Sequence, residues 1–368
     1  MSARRAPVLV VKLGSSSVTD EQGRIDTETI GAICAEIAWV REQCQVVVVS
    51  SGAIAAGWAA LGEGRPRSHD VAVLQAVSAV GQPRLLGVWM EQLARHALTA
   101  GQVLLAPLDF VNRRQYLHAR RTLSQLLDLG VVPIINENDA VADEEIRFGD
   151  NDRLAALVAH LVGAERLILL TDTPGLLTAD PRRVAEASLI EEVAEIDQQL
   201  ERRAGGPGSL GSGGMASKLA AAKMATWSGI ETVIAEAGRP GVLRGVVAGE
   251  SGAGTVFRAR SRSLPARKLW IAFALSAAGS VVIDDGARRA LVEGGRSLLA
   301  AGVISVNGAF GPNDAVEVLD SSGAVVAKGL IGCPSDRAAE WVGRRSEELP
   351  VDLAAEVIHR DDMVVLGE

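Results

Sequence analysis

Cysteine is scarce in this chain: Cys34, Cys44 and Cys333 are the only three in 368 residues. They are too few and too scattered for a disulfide framework or a zinc site. Read as buried spectators, they fit a reducing cytoplasm. The five histidines (His69, His96, His118, His160, His359) are dispersed without metal-ligand spacing. No G-x-S-x-G and no C-x-x-C occurs, so neither a covalent nucleophile nor a general base stands out. Aromatics make up 3%, which leaves Ala, Val and Leu to fill the core. Long apolar runs are missing as well. Val8–Val11 breaks at Lys12, too short for a signal-peptide core. The run from Trp270 to Ile283 is interrupted by Ser276, Gly279 and Ser280 and falls short of a membrane span. The reading is a cytoplasmic chain with no membrane segment.

What is present suits a soluble globular protein of about two domains, on the rough prior of one per ~150 residues. Apolar residues reach 48% and charged ones 22%. A net charge of −8 argues against a protein held on nucleic acid by bulk charge.

Residues 8–235 alternate short apolar strands with helical patterns. Strands are expected at Val8–Leu13, Gln45–Ser50, Gln102–Leu105, Val131–Ile135, Arg166–Thr171 and Thr232–Ala235, with helices such as Thr27–Gln43, Arg113–Leu129 and Met215–Gly229 between them. That alternation predicts an α/β fold with a mostly parallel sheet sandwiched by helices. Ligands then gather in loops at the carboxyl ends of strands. Gly14–Ser17, Ser51–Ala53, Asn136–Asp139 and Thr171–Asp172 occupy such positions. After residue 250 the pattern changes to a polar stretch around Pro265 and then to short strand-like pieces: Ser280–Ile283, Ile304–Val306, Ala315–Leu319 and Val325–Gly329. The expected boundaries are 1–258 for the α/β domain, 259–275 for a linker, 276–354 for a small β-rich domain and 355–368 for a tail.

Three features carry candidate chemistry. The stretch 136–152 concentrates amide and acidic side chains: Asn136, Glu137, Asn138, Asp139, then Asp150, Asn151 and Asp152. Like charges this close repel unless a cation answers them, so the stretch is either a site that holds a cation or a solvated acidic loop. The second feature is Gly211-Ser212-Gly213-Gly214-Met215-Ala216-Ser217-Lys218 ahead of a helix. Bare amides at a helix start attract phosphate, and Lys218 adds a full charge. The loop lacks Walker A spacing. It matches G-x-G-x-x-A, but a dinucleotide fingerprint needs a strand directly before it, and Glu191–Arg203 reads as helical. Third, Lys12 ends the first strand before a small-residue loop. Taken singly it is either a phosphate-facing lysine or an ordinary edge lysine.

In order along the chain, VVKLGSSS (Val10–Ser17), VVSSGAIAAG (Val48–Gly57), QAVSAVGQPRL (Gln75–Leu85), INENDAV (Ile135–Val141), EIRFGDND (Glu145–Asp152), LLTDTPGL (Leu169–Leu176) and GSGGMASKL (Gly211–Leu219) closely resemble the glutamate 5-kinases, the amino-acid kinases that open proline synthesis. The tail, through Asp285–Ala287, Gly295–Leu299 and Gly302–Val303, looks like a PUA domain, a small β-barrel. Residues 276–354 carry 7 basic and 11 acidic side chains, net −4. Such a surface is poorly suited to RNA, and a structural or regulatory role is expected instead.

The resemblance implies the amino-acid kinase fold and transfer of the ATP γ-phosphoryl group to the side-chain carboxylate of L-glutamate. It implies Lys12, Lys218 and Asp150 as catalytic residues, with Asp150 between the two lysines. Gly14, Ser15, Thr171, Asp172 and the run Ser212, Gly213, Gly214, Met215, Ala216, Ser217 are implied to hold the nucleotide together with both lysines. Ser51, Asp139 and Asn151 are implied to hold glutamate. No metal ligand is assigned to the protein, because Mg²⁺ travels mainly on the ATP phosphates. Inhibition by proline and assembly into a homo-oligomer, dimer or tetramer, are the family expectations.

Overall fold

The computed structural model describes residues 6–62, 68, 70–141, 151–179, 184, 186–203, 214–261, 264–348 and 356–366. It divides into two compact units, Met1–Leu264 and Pro265–Glu368.

Among the described residues, eight strands form the sheet of the first unit: β1 (Val8–Leu13), β2 (Gln45–Ser50), β3 (Ala100–Leu105), β4 (Val132–Glu137), β5 (Arg166–Thr171), β6 (Glu192–Val193), β7 (Glu231–Glu236) and β8 (Thr255–Phe257). The order across the sheet is β3-β4-β2-β1-β5-β7-β8-β6. Every ladder from β3 to β7 is parallel; β8 runs antiparallel to β7, and β6 parallel to β8. β1 is buried along its whole length and β2 from its second residue, as unbroken apolar runs are when helices cover both faces of a sheet. The expected mostly parallel sheet is present. β6 and β8 are only two and three residues long, too short to leave a periodic signal, and so went unread.

The helices are α1 (Ser15–Val18), α2 (Thr27–Val40), α3 (Ala53–Leu61), α4 (Val71–Ala94), α5 (Leu108–Val111), α6 (Arg113–Asp128), α7 (Asn151–Val162), α8 (Gln198–Arg203), α9 (Met215–Trp227) and α10 (Val242–Ala248). α8 confirms helix before the glycine-rich loop, although Glu192–Val193 within the same stretch is strand. α4 is long and apolar enough, by length and composition, to cross a membrane. It buries Ser78, Gln82 and Gln92 along with Val77, Leu85, Trp89 and Leu93, a minority of its residues.

The contact between α3 and α4 runs backbone to backbone. A Cβ on Gly81 would lie 1.8 Å from the Ala53 carbonyl oxygen, and one on Gly57 would lie 2.0 Å from that of Val77. Only glycine permits this approach. Gly52, which caps α3, has φ +103°, in the left-handed region. The turn from β2 into α3 is therefore tight, and α4 lies directly against it.

The second unit has a five-stranded sheet ordered β11-β9-β12-β13-β15 and a two-stranded β10-β14 ladder. Its strands are β9 (Gly279–Ile283), β10 (Leu298–Leu299), β11 (Val303–Gly308), β12 (Ala315–Leu319), β13 (Val325–Leu330), β14 (Glu356–Ile358) and β15 (Met363–Val365). A separate apolar core includes Val281, Ile283, Leu291, Val316, Val318, Ala327 and Trp341. Two boundaries differ from expectation. The presumed linker ends in a helix, Ala266–Leu269, and a π-turn, Trp270–Ala274, with Leu269, Trp270 and Ile271 buried. The presumed tail supplies β14 and β15, whose Val357, Ile358, Met363 and Val364 are buried. The apolar run from Trp270 was weighed above only as a membrane span, and β14 and β15 are three residues each, too short to leave a periodic signal.

Candidate active site

β1 lies mid-sheet, between β2 and β5. The chain leaves it toward β2 on one side and returns on the other at β5, and a crevice opens where such departures diverge. Here the crevice is a cleft of about 420 Å³. Its walls include Lys12, Gly14 and Ser15 from the end of β1, Ser51 and Gly52 after β2, Asn136, Glu137 and Asp139 from the end of β4, Asn151 at the start of α7, Thr171 and Asp172 at the end of β5, and Lys218 in α9.

The charged end of the cleft is built on Asp152. Its side chain is fully buried and makes ion pairs with both Lys12 and Lys218, the latter at 3.2 Å. The Ser217 hydroxyl donates to the same carboxylate at 2.9 Å. Burial by itself pushes this carboxyl up; the Lys12 and Lys218 charges, with hydrogen bonds from Lys12 and Ser217, overcome that and hold it below the usual carboxylate range. One carboxylate thus answers two ammonium groups. The lysines, almost entirely buried themselves, are kept close by a shared anion that their own repulsion would otherwise prevent. α9 opens at Gly214 with no side-chain cap, so the positive end of a 13-residue helix adds to the same region. Thr171 donates to Asp172 at 3.0 Å across the β5 end of the cleft.

The other end is neutral or anionic and is organised by hydrogen bonds. The Asn151 Nδ2 shares its two hydrogens among three acceptors, the Ser50 carbonyl oxygen and Ser51 Oγ, each at 3.0 Å, and Asn136 Oδ1 at 2.7 Å. Asn136 Nδ2 donates to Gln82 Oε1 at 2.6 Å. The Ser78 hydroxyl donates to Asp139 Oδ2 at 2.7 Å.

Of the residues implied by resemblance, Lys12, Gly14, Ser15, Ser51, Asp139, Asn151, Thr171, Asp172 and Lys218 share this cleft. Gly214, Met215, Ala216 and Ser217 form the start of α9 and lead into Lys218. Asp150, Ser212 and Gly213 lie outside the described residues. Among the described residues the carboxylate between the lysines is Asp152; Asp150, given that place above, lies outside them. α7 begins at Asn151 and is buried at nearly every position from there to Leu161, which takes Asp152 into the interior. Asn136, Glu137 and Gly52, given above only as members of strand-end loops, also line the cleft; the α4 side chains Ser78 and Gln82 that support them were unforeseen.

The family model described as "Amino acid kinase family" matches residues 7–236, and that of the PUA domain matches residues 279–351. Glutamate 5-kinase of Pelobacter propionicus is 44% identical over 99% of this chain and 98% of its own length. Glutamate 5-kinase of Paraburkholderia phymatum is 46% identical over 97% of each. The chain belongs to the glutamate 5-kinases of the amino acid kinase family. Among solved structures, a UMP kinase from Bacillus anthracis shares 16% identity with this family member at a TM-score of 0.46, covering 69% of this chain and 97% of its own.

Proposed function

We propose that this chain transfers the γ-phosphoryl group of ATP to the side-chain carboxylate of L-glutamate, forming L-glutamyl 5-phosphate, the first step of proline synthesis. The observation that carries the proposal is the Lys12–Asp152–Lys218 arrangement facing one cleft with Ser51, Asp139 and Asn151. A glutamate side chain, with a reference pKa of about 4.3, is ionised at neutral pH and attacks without a general base. The barrier is electrostatic, because two like charges at about 4 Å repel by ~4 kcal/mol at an effective dielectric near 20. Lys12 and Lys218 place positive charge where the phosphoryl group moves, and preorganised charge of this kind is the main catalytic need of phosphoryl transfer. Asp152 keeps the two cations at fixed separation and cancels one of them, so nucleotide is not held by an unbalanced pair.

Gly14, Ser15, Thr171, Asp172 and the residues from Gly214 to Lys218 are read as the nucleotide side. Ser51, Asp139 and Asn151 are read as the glutamate side, where the Asp139 carboxylate suits an α-ammonium group. Asp152 is already engaged by two lysines and a hydroxyl, so a divalent cation would be held by the phosphates of ATP, where Mg²⁺ would neutralise phosphate charge. Inhibition by proline, a homo-oligomeric state and a cytoplasmic location belong to the same reading; proline titration of activity and light scattering on the purified protein test the first two.

The decisive experiment is ADP release with a panel of acids: glutamate, N-acetylglutamate, aspartate and carbamate. Glutamate-dependent release is expected. Faster release with another acid, or none with glutamate, overturns the proposal.

A further inference from the structure

α4 passes behind the amino-acid end of the cleft and touches it at three points on one helical face. Ser78 donates to Asp139, Gln82 accepts from Asn136, and Trp89 Nε1 donates to Ser50 Oγ at 3.0 Å. The spacing of four and then seven residues returns to the same side of a helix. The middle contact is the informative one, because it starts a chain of amides with a fixed direction.

Two backbone groups set that direction. The Ser50 carbonyl can only accept, so the Asn151 side chain turns its Nδ2 toward it. The Glu137 N–H can only donate, and it donates to Asn136 Oδ1 at 2.9 Å. Asn136 Oδ1 therefore faces both the Glu137 amide and the Asn151 Nδ2, and its own Nδ2 points away, into the protein. Gln82 Oε1 receives it there. At the far end, Ser51 Oγ accepts from Asn151, which leaves the Ser51 hydrogen to donate into the cleft. All three amides are buried, where an unpaired N–H is costly and a misdirected amide disrupts its neighbours.

We propose that Gln82 is a positioning residue for the amino-acid subsite: by accepting from Asn136 it holds an amide relay that presents the Ser51 hydroxyl as a donor to the substrate's carboxylate. Gln82 lies outside the cleft lining and acts through Asn136 and Asn151. Its position is itself fixed, since the adjacent Gly81 abuts the Ala53 carbonyl at the start of α3, two residues past Ser51. The assignment rests on the carboxylate-phosphorylating function proposed above and adds the means by which one end of the site is tuned independently of the other.

The test compares Gln82→Met, which keeps length and removes the acceptor, with Gln82→Glu, which keeps an acceptor oxygen. Steady-state KM for glutamate and for ATP are measured in each, with ATP binding as the check on folding. In Gln82→Met the glutamate KM is expected to rise about tenfold while the ATP KM stays within about twofold, the pattern of lost substrate binding with nucleotide binding intact. Gln82→Glu is expected to recover most of that loss. An unchanged glutamate KM in Gln82→Met, equal rises in both KM values, or no recovery in Gln82→Glu overturns the assignment. If Gln82→Met does not fold, Gln82→Ala breaks the same link without added bulk and is judged by the same ratio of KM values. Wild-type turnover is read first. Absence of glutamate-dependent ADP release sinks the proposed function, and the Gln82 comparison then runs on the panel acid that does turn over.

Discussion

The two ends of the cleft solve opposite problems with different physics. At one end, Lys12, Asp152 and Lys218 form a compact charged group whose effect is set by net charge and separation. At the other, Ser51, Asn136, Asn151 and Gln82 form a chain of hydrogen bonds whose effect is set by direction. Charge suits a phosphoryl group that changes position during reaction, because a field acts over distance. Directed donors suit a substrate that must be chosen among similar acids, because a hydrogen bond discriminates by geometry.

If that division holds, substitutions at the two ends should fail in different kinetic parameters. The largest effect is expected from Lys218→Ala, which removes one of the two ammonium groups beside Asp152. Turnover should fall by about a hundredfold to a thousandfold, the range for losing one preorganised electrostatic group, with glutamate KM changed far less. A loss confined to KM would break the comparison. Asp152→Asn separates position from charge, since it raises the local charge while freeing the lysines. It should lower kcat without raising the ATP KM, and should lower stability by about 3–5 kcal/mol, as expected for a broken buried ion pair; denaturant titration reads the second effect.

Asp152 also makes stability depend on pH. Its folded-state pKa is depressed, so the unfolded chain takes up the proton first as pH falls. The stabilisation is therefore present above about pH 4, the unfolded value, and is lost as pH drops through the lower folded value. Asp152→Asn should flatten that acid limb in melting curves taken across pH, and an unchanged limb would remove Asp152 as its source. A smaller effect is expected from Ser51→Ala: about a tenfold rise in glutamate KM, from one lost hydrogen bond to a charged group, with ATP KM unchanged. The smallest is expected from removing residues 265–368. The second unit has its own core, and the remaining chain should keep turnover within about tenfold of the full protein. Complete loss in a folded truncation would extend the active unit beyond the first domain.

The first unit was legible where its strands are long. β1, β2 and β5 lie at the residues that hydrophobic runs indicate, and those strands position Lys12, Ser51 and Thr171. The chemistry was legible wherever an unusual residue followed a strand. It was less so inside 136–152, where several acids stand close together. Asp152 reaches Lys218 of α9 from the first turn of α7, and a helix boundary is the least readable feature of a chain. The α4 contacts were not legible, because Ser78 and Gln82 sit in a run of Ala and Val whose polar members look incidental until β4 is placed beside them.

The backbone contact between α3 and α4 carries a consequence for mutational tolerance. Positions 57 and 81 admit no side chain at all, while Ala72, Ala76 and Ala79 on the outer face of α4 are exposed. Saturation libraries should therefore be nearly barren at Gly57 and Gly81 and permissive one turn of the helix away. A single helix would record, in the variants it accepts, which of its faces is packed against α3 and which is free to drift.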